Sequence, residues 1–284
     1  MVSSAGLVDF LVLTLAALLP ALAYLMWVRQ SERLGREPWG LLLRLFAFGA
    51  LGATILAGIV EVVIVDVGTA VSVKYPSPDF AFLNGKSTLG AFFLVLVVAP
   101  VVEEALKAGG VVQYKSSLRR LADGPVFGAA VGLGFGFFET LLYGLGAFLT
   151  GGLAAGLVLI LVRSISSVLL HGSSTAMFGR GYASSIYQNR GGASGAYFLL
   201  AVAMHSSFNA LASLGAIAMV LGLPSGLSPY ADVIGLLTAI GFAFAAIEHV
   251  RTVISQSDFP GANTVHPRYR PPTVQPRSGV PPRR

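Results

Sequence analysis

Two adjacent acids and a lysine lie inside a long apolar stretch of this chain. Glu103, Glu104 and Lys107 are its charged residues, and the stretch is otherwise apolar from residue 89 to residue 112. A charged side chain at membrane depth costs about 3 kcal/mol or more, so the residues that persist there usually have a function. On a helix, Lys107 lies three and four residues after the two acids, within pairing distance of both. One acid can pair with Lys107 while the other faces a different neighbour.

Polar residues also interrupt three later apolar segments. Glu139 and His171 each stand in separate segments, and His205 and Asn209 are four apart on a third, so they share one helical face. Arg163 is a further charge inside an apolar segment and has no assigned partner. A structural ion pair or an interhelical hydrogen bond would explain any one of these residues. Their recurrence on successive segments instead predicts that they converge on one buried site.

These residue types suit the hydrolysis of an acyl bond. A carboxylate beside a histidine can activate water, and histidine and asparagine side chains can donate hydrogen bonds to an oxyanion. The zinc motif H-E-x-x-H is absent, but other sets of acids and histidines also bind Zn²⁺. The residues that could do so are Glu103, Glu104, Glu139, His171 and His205. The residues therefore leave both a metal-free and a metal-assisted mechanism open.

Two other classes of protein could carry the same residues. Buried acids and histidines also build proton relays, so a proton-coupled membrane transporter is one alternative. A non-enzymatic polytopic scaffold is the other. Substitution of Glu103 and Glu104 would separate the three classes. A protease would lose substrate cleavage, a transporter would lose pH-dependent flux, and a scaffold would lose neither.

Composition places the chain in a membrane. Hydrophobic residues make up 55% of it and charged residues 11%, whereas a soluble domain carries about 25% charged residues. There is no cysteine, which excludes disulfides, thiol catalysis and cysteine metal sites. The net charge of +6 comes mainly from arginines in the last 30 residues. A basic end of this kind favours contact with acidic lipid headgroups, and no folded basic module indicates nucleic-acid binding.

The apolar segments predict an all-α polytopic membrane protein with seven transmembrane helices. The predicted spans are residues 7–28, 41–65, 88–112, 125–149, 152–178, 195–221 and 230–252. Every second connection is basic, and these connections with the C-terminal region hold 15 of the 19 lysines and arginines. The positive-inside rule therefore predicts that the N-terminus lies outside and the C-terminus inside. The connection 66–87 is the only sizeable outer loop predicted.

Residues 1–254 are predicted to form the transmembrane domain, and residues 255–284 a disordered cytoplasmic tail rich in proline and arginine. Within the fourth span, Gly128, Gly132 and Gly136 recur every four residues and predict close packing against another helix. No feature of the sequence indicates an oligomeric state.

The predicted spans place three of the polar groups at one depth. At 1.5 Å per residue from the predicted inner ends, Glu104 and His171 lie about 13 Å deep and His205 about 16 Å. Glu139 lies about 24 Å deep by the same count and fits this level less well. Glu61 lies near the end of its predicted span, so we expect water to reach it.

Four motifs in chain order resemble the PrsW family of intramembrane proteases, which is related to the CAAX-prenyl endopeptidases and bacteriocin-processing membrane proteases. They are Glu103-Glu104-x-x-Lys107, Phe135-x-x-x-Glu139, the isolated His171, and His205-x-x-x-Asn209. Glu139 follows the PrsW form of the second motif, where the CAAX relatives have histidine. PrsW-like proteins can carry Asp at the position of Asn209, so the role of this residue is open between an acid and an amide.

The resemblance implies hydrolysis of peptide bonds in membrane-associated substrates within a bacterial plasma membrane, with an anti-sigma factor as one expected substrate. It implies that Glu103 or Glu104 activates water with the help of His171, and that His205 and Asn209 stabilise the oxyanion. Cleavage of that kind of substrate is expected near the outer face, whereas the depth count places the site in the inner half. Either the predicted helix ends are misplaced or the substrate enters from the cytoplasmic side.

Overall fold

The computed structural model describes residues 4–258, and helices are the only regular elements among them. The α-helices are α1 Ser4–Arg29, α2 Trp39–Ala47, α3 Thr54–Lys74, α4 Thr88–Phe93, α5 Ala99–Gln113, α6 Asp123–Ser164, α7 Ser167–Tyr187, α8 Ala193–Ala212, α9 Leu214–Val220 and α10 Ser228–Ser257. Two π-helical segments, Phe48–Ala53 and Leu94–Val98, join α2 to α3 and α4 to α5. The predicted all-α membrane fold is confirmed.

Six helical stretches of the described residues are long and apolar enough to cross a membrane. One of them, Asp123–Tyr187, is 65 residues long, about three times what one crossing needs. It reverses at Gly152, whose φ of 76° lies in the left-handed region that glycine tolerates. Gly124 near the start of α6 lies against Gly179 towards the end of α7, so the two arms run antiparallel. The count of seven crossings and the orientation stay predictions.

Several helices extend beyond their predicted ends. Helix α3 continues to Lys74, which shortens the predicted loop 66–87, and α7 continues to Tyr187 instead of residue 178. The sequence becomes less apolar in both extensions, which is why the helices were predicted to end earlier. Neither extension contains a proline to break the helix, so both helices continue. Helix α10 reaches Ser257, three residues into the predicted tail, and the tail from residue 259 lies outside the described residues.

The predicted glycine face of α6 packs directly on the backbone of α7. A methyl group at Gly128 would collide with the carbonyl group of Thr175, and one at Gly132 would collide with that of His171. The packing prediction is therefore confirmed. Because Gly132 contacts the backbone of His171, this close approach sets the position of a predicted site residue.

We expect Gly132→Ala to separate α6 from α7 and to destabilise the protein by about 1–3 kcal/mol, as overpacking of a tight contact usually does. Gly146→Ala on the same helix is the matched control, because a methyl group there meets no atom within 4 Å. Thermal unfolding in detergent micelles measures both variants. Equal melting temperatures for the two would contradict the packing argument.

An ionic junction joins three parts of the chain at one end of the molecule. The guanidinium of Arg120 lies 2.9 Å from Glu32, 3.0 Å from Asp123, 2.8 Å from Asp258 and 3.6 Å from Glu37. All four acids are buried, and burial raises the pKa of Glu32 and of Glu37 to about 7. The junction ties the loop after α1 and the end of α10 to the start of α6, the helix that carries Glu139.

Candidate active site

A cavity of about 480 Å³ lies between α3, α5, α6, α7 and α8. Five of the predicted site residues line it: Glu103, Glu139, His171, His205 and Asn209. The other two, Glu104 and Lys107, are buried, with 1% and 0% of their surface exposed. Four separate helices therefore supply polar groups to one enclosed space, as the sequence predicts.

Lys107 lies at the centre of the polar cluster. Its Nζ donates to Glu104 Oε1 at 2.8 Å and to His171 Nδ1 at 2.9 Å, and it lies 3.5 Å from Glu103 Oε2. The ammonium also lies 4.3 Å from the centre of the Phe135 ring, which adds a cation–π contact. The one ammonium group therefore lies within ion-pair distance of both adjacent acids, closer to Glu104 than to Glu103.

Glu104 is held by hydrogen bonds on both of its oxygens. Oε1 accepts from Lys107, from Ser174 Oγ at 2.9 Å and from His205 Nδ1 at 3.1 Å, and Oε2 accepts from Thr175 Oγ1 at 3.2 Å. A carboxylate oxygen has about two lone-pair sites, so Oε1 has no lone pair left to accept another hydrogen bond. The Glu104 carboxylate therefore joins α5, α7 and α8.

His171 is bonded through both ring nitrogens. Because the Lys107 ammonium can only donate, His171 Nδ1 accepts, and its Nε2–H donates to Glu139 Oε2 at 2.8 Å. Glu139 Oε2 also accepts from Arg163 Nη2 at 2.6 Å. Arg163 is therefore the counter-charge of Glu139, and the neutral imidazole between Lys107 and Glu139 has one fixed tautomer.

His205 faces the cavity with a free nitrogen lone pair. Its Nδ1–H donates to the Glu104 carboxylate, which leaves Nε2 of the neutral ring as an acceptor. This Nε2 lies 3.8 Å from Glu103 Oε2, and the rings of His205 and His171 meet edge to face at 4.8 Å. A neutral His205 with this tautomer can ligate a cation or accept a proton, but it cannot donate to an oxyanion.

Glu103 differs from its neighbour because its Oε2 makes no hydrogen bond and lies 3.5 Å from Lys107 Nζ, in a longer ion pair than the one Glu104 makes at 2.8 Å. Glu103 Oε2 is a buried atom, although the residue lines the cavity. The side chain is 8% exposed, against 1% for Glu104. A buried carboxylate oxygen normally accepts a hydrogen bond, so one that accepts none and faces a cavity is suited to bind or react with a ligand.

Asn209 contacts the backbone of the segment that leads into α5. Its Nδ2 donates to the carbonyl of Val95 at 2.8 Å. That carbonyl lies in the π-helical segment, where the N–H of Ala99 donates to Leu94 and Pro100 has no N–H to offer. Pro100 thus frees a carbonyl, and Asn209 ties α8 to it. The amide has a second N–H, which leaves one donor for the cavity.

The family model for PrsW family intramembrane metalloproteases matches residues 37–234. The chain belongs to this family. No curated protein and no solved structure matches it. Membership identifies an integral membrane peptidase, and so favours the protease prediction over the transporter and the scaffold. The matched range contains every residue of the cavity described above.

The fold of this PrsW protease brings the predicted site residues together. Glu103, Glu104, Lys107, Glu139, His171 and His205 form one continuous cluster of contacts. Asn209 lines the same cavity from one turn further along α8. Their catalytic roles stay predictions.

Glu61 lies in a different environment from the one predicted. It lines the cavity, and its Oε1 is buried without a hydrogen-bond partner, instead of facing water at a span end. The reason is that α3 continues to Lys74, which places Glu61 well inside the helix. The sequence did contain a signal for this position, because Glu61 is followed by several apolar residues that could continue the helix. The predicted helix end at residue 65 concealed that signal.

The residues present fit the metal that the family description implies. Glu103, His171 and His205 each offer a ligand atom, and these atoms lie within 4.8 Å of one another. Two histidines and a glutamate are a donor set of catalytic zinc sites. Each histidine also donates its other nitrogen to a carboxylate, Glu104 or Glu139, as ligating histidines usually do. Lys107 must release His171 Nδ1 before that atom can ligate.

Proposed function

We propose that this PrsW protease hydrolyses peptide bonds of membrane proteins in the cavity, with Glu103 as the reacting carboxylate. The observation that carries the proposal is that Glu103 Oε2 accepts no hydrogen bond, whereas Glu104 and Glu139 are both committed to hydrogen bonds. Of the two adjacent glutamates, Glu103 can accept a proton from water without breaking a bond. Glu104 and Lys107 position the groups around it.

The proposed reaction needs no covalent intermediate. Glu103 takes a proton from water as the water oxygen bonds to the peptide carbonyl carbon, and returns it to the amine nitrogen as the C–N bond breaks. The second N–H of Asn209 is the donor we assign to the oxyanion. When bound by Glu103, His171 and His205, a divalent metal, with zinc as the first candidate, supplies further polarisation of the carbonyl. A carboxylate has two oxygens, so Glu103 would keep one to accept the proton if the other held the metal.

The geometry changes the role that the resemblance implies for His205. Its Nδ1–H is committed to Glu104, so the neutral ring offers only a lone pair to the cavity. We therefore propose His205 as a ligand, and assign oxyanion stabilisation to Asn209 and the metal. The proposed location is a bacterial plasma membrane, and an anti-sigma factor is the substrate that the family resemblance proposes.

Comparison of membrane-protein fragments from cells with the wild-type chain and with Glu103→Gln tests this function. We expect fragments of at least one membrane protein to appear with the wild type and to be absent with the variant. Glu248→Gln is the matched control, because that glutamate is 52% exposed and pairs with Arg251 far from the cavity. An anti-sigma factor among the fragments would support the finer substrate assignment. If no fragment depends on Glu103, the protease mechanism is wrong.

A further inference from the structure

An apolar groove of about 420 Å³ opens on the outer surface of α3 and α6, beside the cavity. Ile55, Ile59 and Val62 of α3 face Phe138 and Leu142 of α6 across it. The α3 side chains are strongly exposed, Ile59 to 56% and Val62 to 60%. Hydrocarbon side chains that are exposed on a membrane-spanning helix face the lipid, so a molecule that reaches this groove arrives through the bilayer.

The groove and the catalytic cavity share part of their walls. Thr54, Gly58 and Leu142 line both of them. At Gly58 an added methyl group would meet no atom within 4 Å, so this position is open space. A passage from the lipid into the cavity at this shared wall would therefore run past a residue that has no side chain.

Besides Glu103 Oε2, the cavity holds one further acceptor and one donor without hydrogen-bond partners. Glu61 Oε1 and Arg163 Nε are both buried and make no hydrogen bond, and both residues line the cavity. Orphaned buried polar atoms cost about 1–3 kcal/mol each, so a ligand that pairs with them is favoured. An extended peptide offers the matching pair, an N–H donor and a carbonyl acceptor, on its backbone.

We propose that the groove between α3 and α6 docks the transmembrane helix of the substrate, and that Glu61 and Arg163 bind the backbone of the segment that unwinds from it. This inference rests on the proposed protease function. A helix satisfies its own backbone groups and can lie in lipid against the groove at no polar cost. Its scissile bond becomes reachable only after a turn unwinds, and the freed backbone groups then pair inside the cavity.

Gly58→Leu tests the passage, because a leucine side chain occupies the open space between groove and cavity. The substrate is the membrane protein whose fragments depend on Glu103. We expect its cleavage to fall at least tenfold, with Gly58→Ala intermediate. Gly241→Leu on α10 is the matched control, since that glycine is also exposed and also has no atom within 4 Å of an added methyl group. Thermal unfolding reports whether each variant folds.

Cysteine cross-linking tests docking independently of activity. The chain has no cysteine, so Ile59→Cys provides a single thiol in the groove. In the inactive Glu103→Gln background, and with an oxidant added to accept the two electrons, we expect its thiol to form a disulfide with a cysteine in the transmembrane segment of that substrate. Leu237→Cys on α10, at a position that is 63% exposed, is the control and should form none.

Backbone binding is tested by comparing two substitutions at one position. Glu61→Leu removes the acceptor and is expected to lower cleavage about tenfold, whereas Glu61→Gln keeps a carbonyl oxygen and should retain most of it. The larger loss should be in KM, because the contact binds the substrate backbone. Equal loss in both variants would contradict a neutral acceptor role.

The outcomes separate the two proposals. If Gly58→Leu cleaves as fast as the wild type, or if Ile59→Cys forms no adduct, the groove is covered by lipid only and the docking proposal is wrong. If Gly58→Leu fails to fold, the cross-linking result decides. If the wild type produces no fragment that depends on Glu103, the proposed function fails first, and the docking proposal fails with it.

Discussion

Glu104→Gln is expected to destabilise the protein by about 3–5 kcal/mol, the usual effect of removing one partner from a buried ion pair. Glutamine keeps the size of the side chain but removes the charge that offsets Lys107, which is 0% exposed. It also turns one of the two acceptor oxygens into a donor group, beside the Ser174 and Thr175 hydroxyls and the ring of His205. Thermal unfolding in micelles measures the loss, and cleavage should fall because His205 is no longer held.

Glu103→Gln is the matched comparison, since it makes the same chemical change one residue earlier. Its Oε2 has no hydrogen bond to lose and lies 3.5 Å from Lys107 Nζ, against 2.8 Å for Glu104, so the melting temperature should fall less than in Glu104→Gln. Cleavage should nevertheless fall by about 100- to 10,000-fold, the range for loss of a general base. If both variants have the same melting temperature, or if Glu104→Gln remains fully active, the division between a positioning and a reacting glutamate is wrong.

The site could be predicted from the sequence because charged residues are rare in apolar helices. Each polar residue was visible as an exception, and the spacing of His205 and Asn209 placed both on one face of α8. Depth was predicted less well. His171 was expected about 13 Å from the inner end, but α7 extends to Tyr187, sixteen residues beyond it, or about 24 Å.

That correction explains the position of Glu139. Glu139 lies sixteen residues after the start of α6, again about 24 Å, so it shares a level with His171 and accepts its Nε2–H at 2.8 Å. The apparent misfit of Glu139 came from the predicted end of α7. The polar residues after residue 178 indicate a loop by composition, yet they continue the helix, because tertiary packing outweighs such weak local preferences.

The surroundings of Arg163 and Glu61 depend on geometry that the sequence does not encode locally. Arg163 meets Glu139 because the chain reverses at Gly152, which brings residues 24 positions apart into contact. Glycine pairs are frequent in this chain, so no single pair marks the reversal. Glu61 faces the cavity because α3 continues well past it. In both cases the sequence showed a polar residue within an apolar segment, but the surroundings of that residue could be predicted only from the correct helix ends.

Metal removal should produce the other large effect. We expect the purified wild-type enzyme to hold about one divalent metal per chain, and a chelator to stop cleavage by removing it. Addition of zinc should restore activity. His205→Ala should reduce bound metal strongly, because it removes one of three ligand atoms that lie within 4.8 Å of one another. Metal content measured by atomic emission gives a readout that does not depend on activity.

His249→Ala is the matched control, because His249 is exposed on α10 and lies outside the cavity. It should keep both metal and cleavage. The contact between Lys107 Nζ and His171 Nδ1, at 2.9 Å, makes the contrary outcome equally informative. A wild-type enzyme that holds no metal and resists chelation would mean that Lys107 keeps His171 from ligating. Glu103 would then activate water unaided, and His205→Ala should lower cleavage only through the lost contact with Glu104.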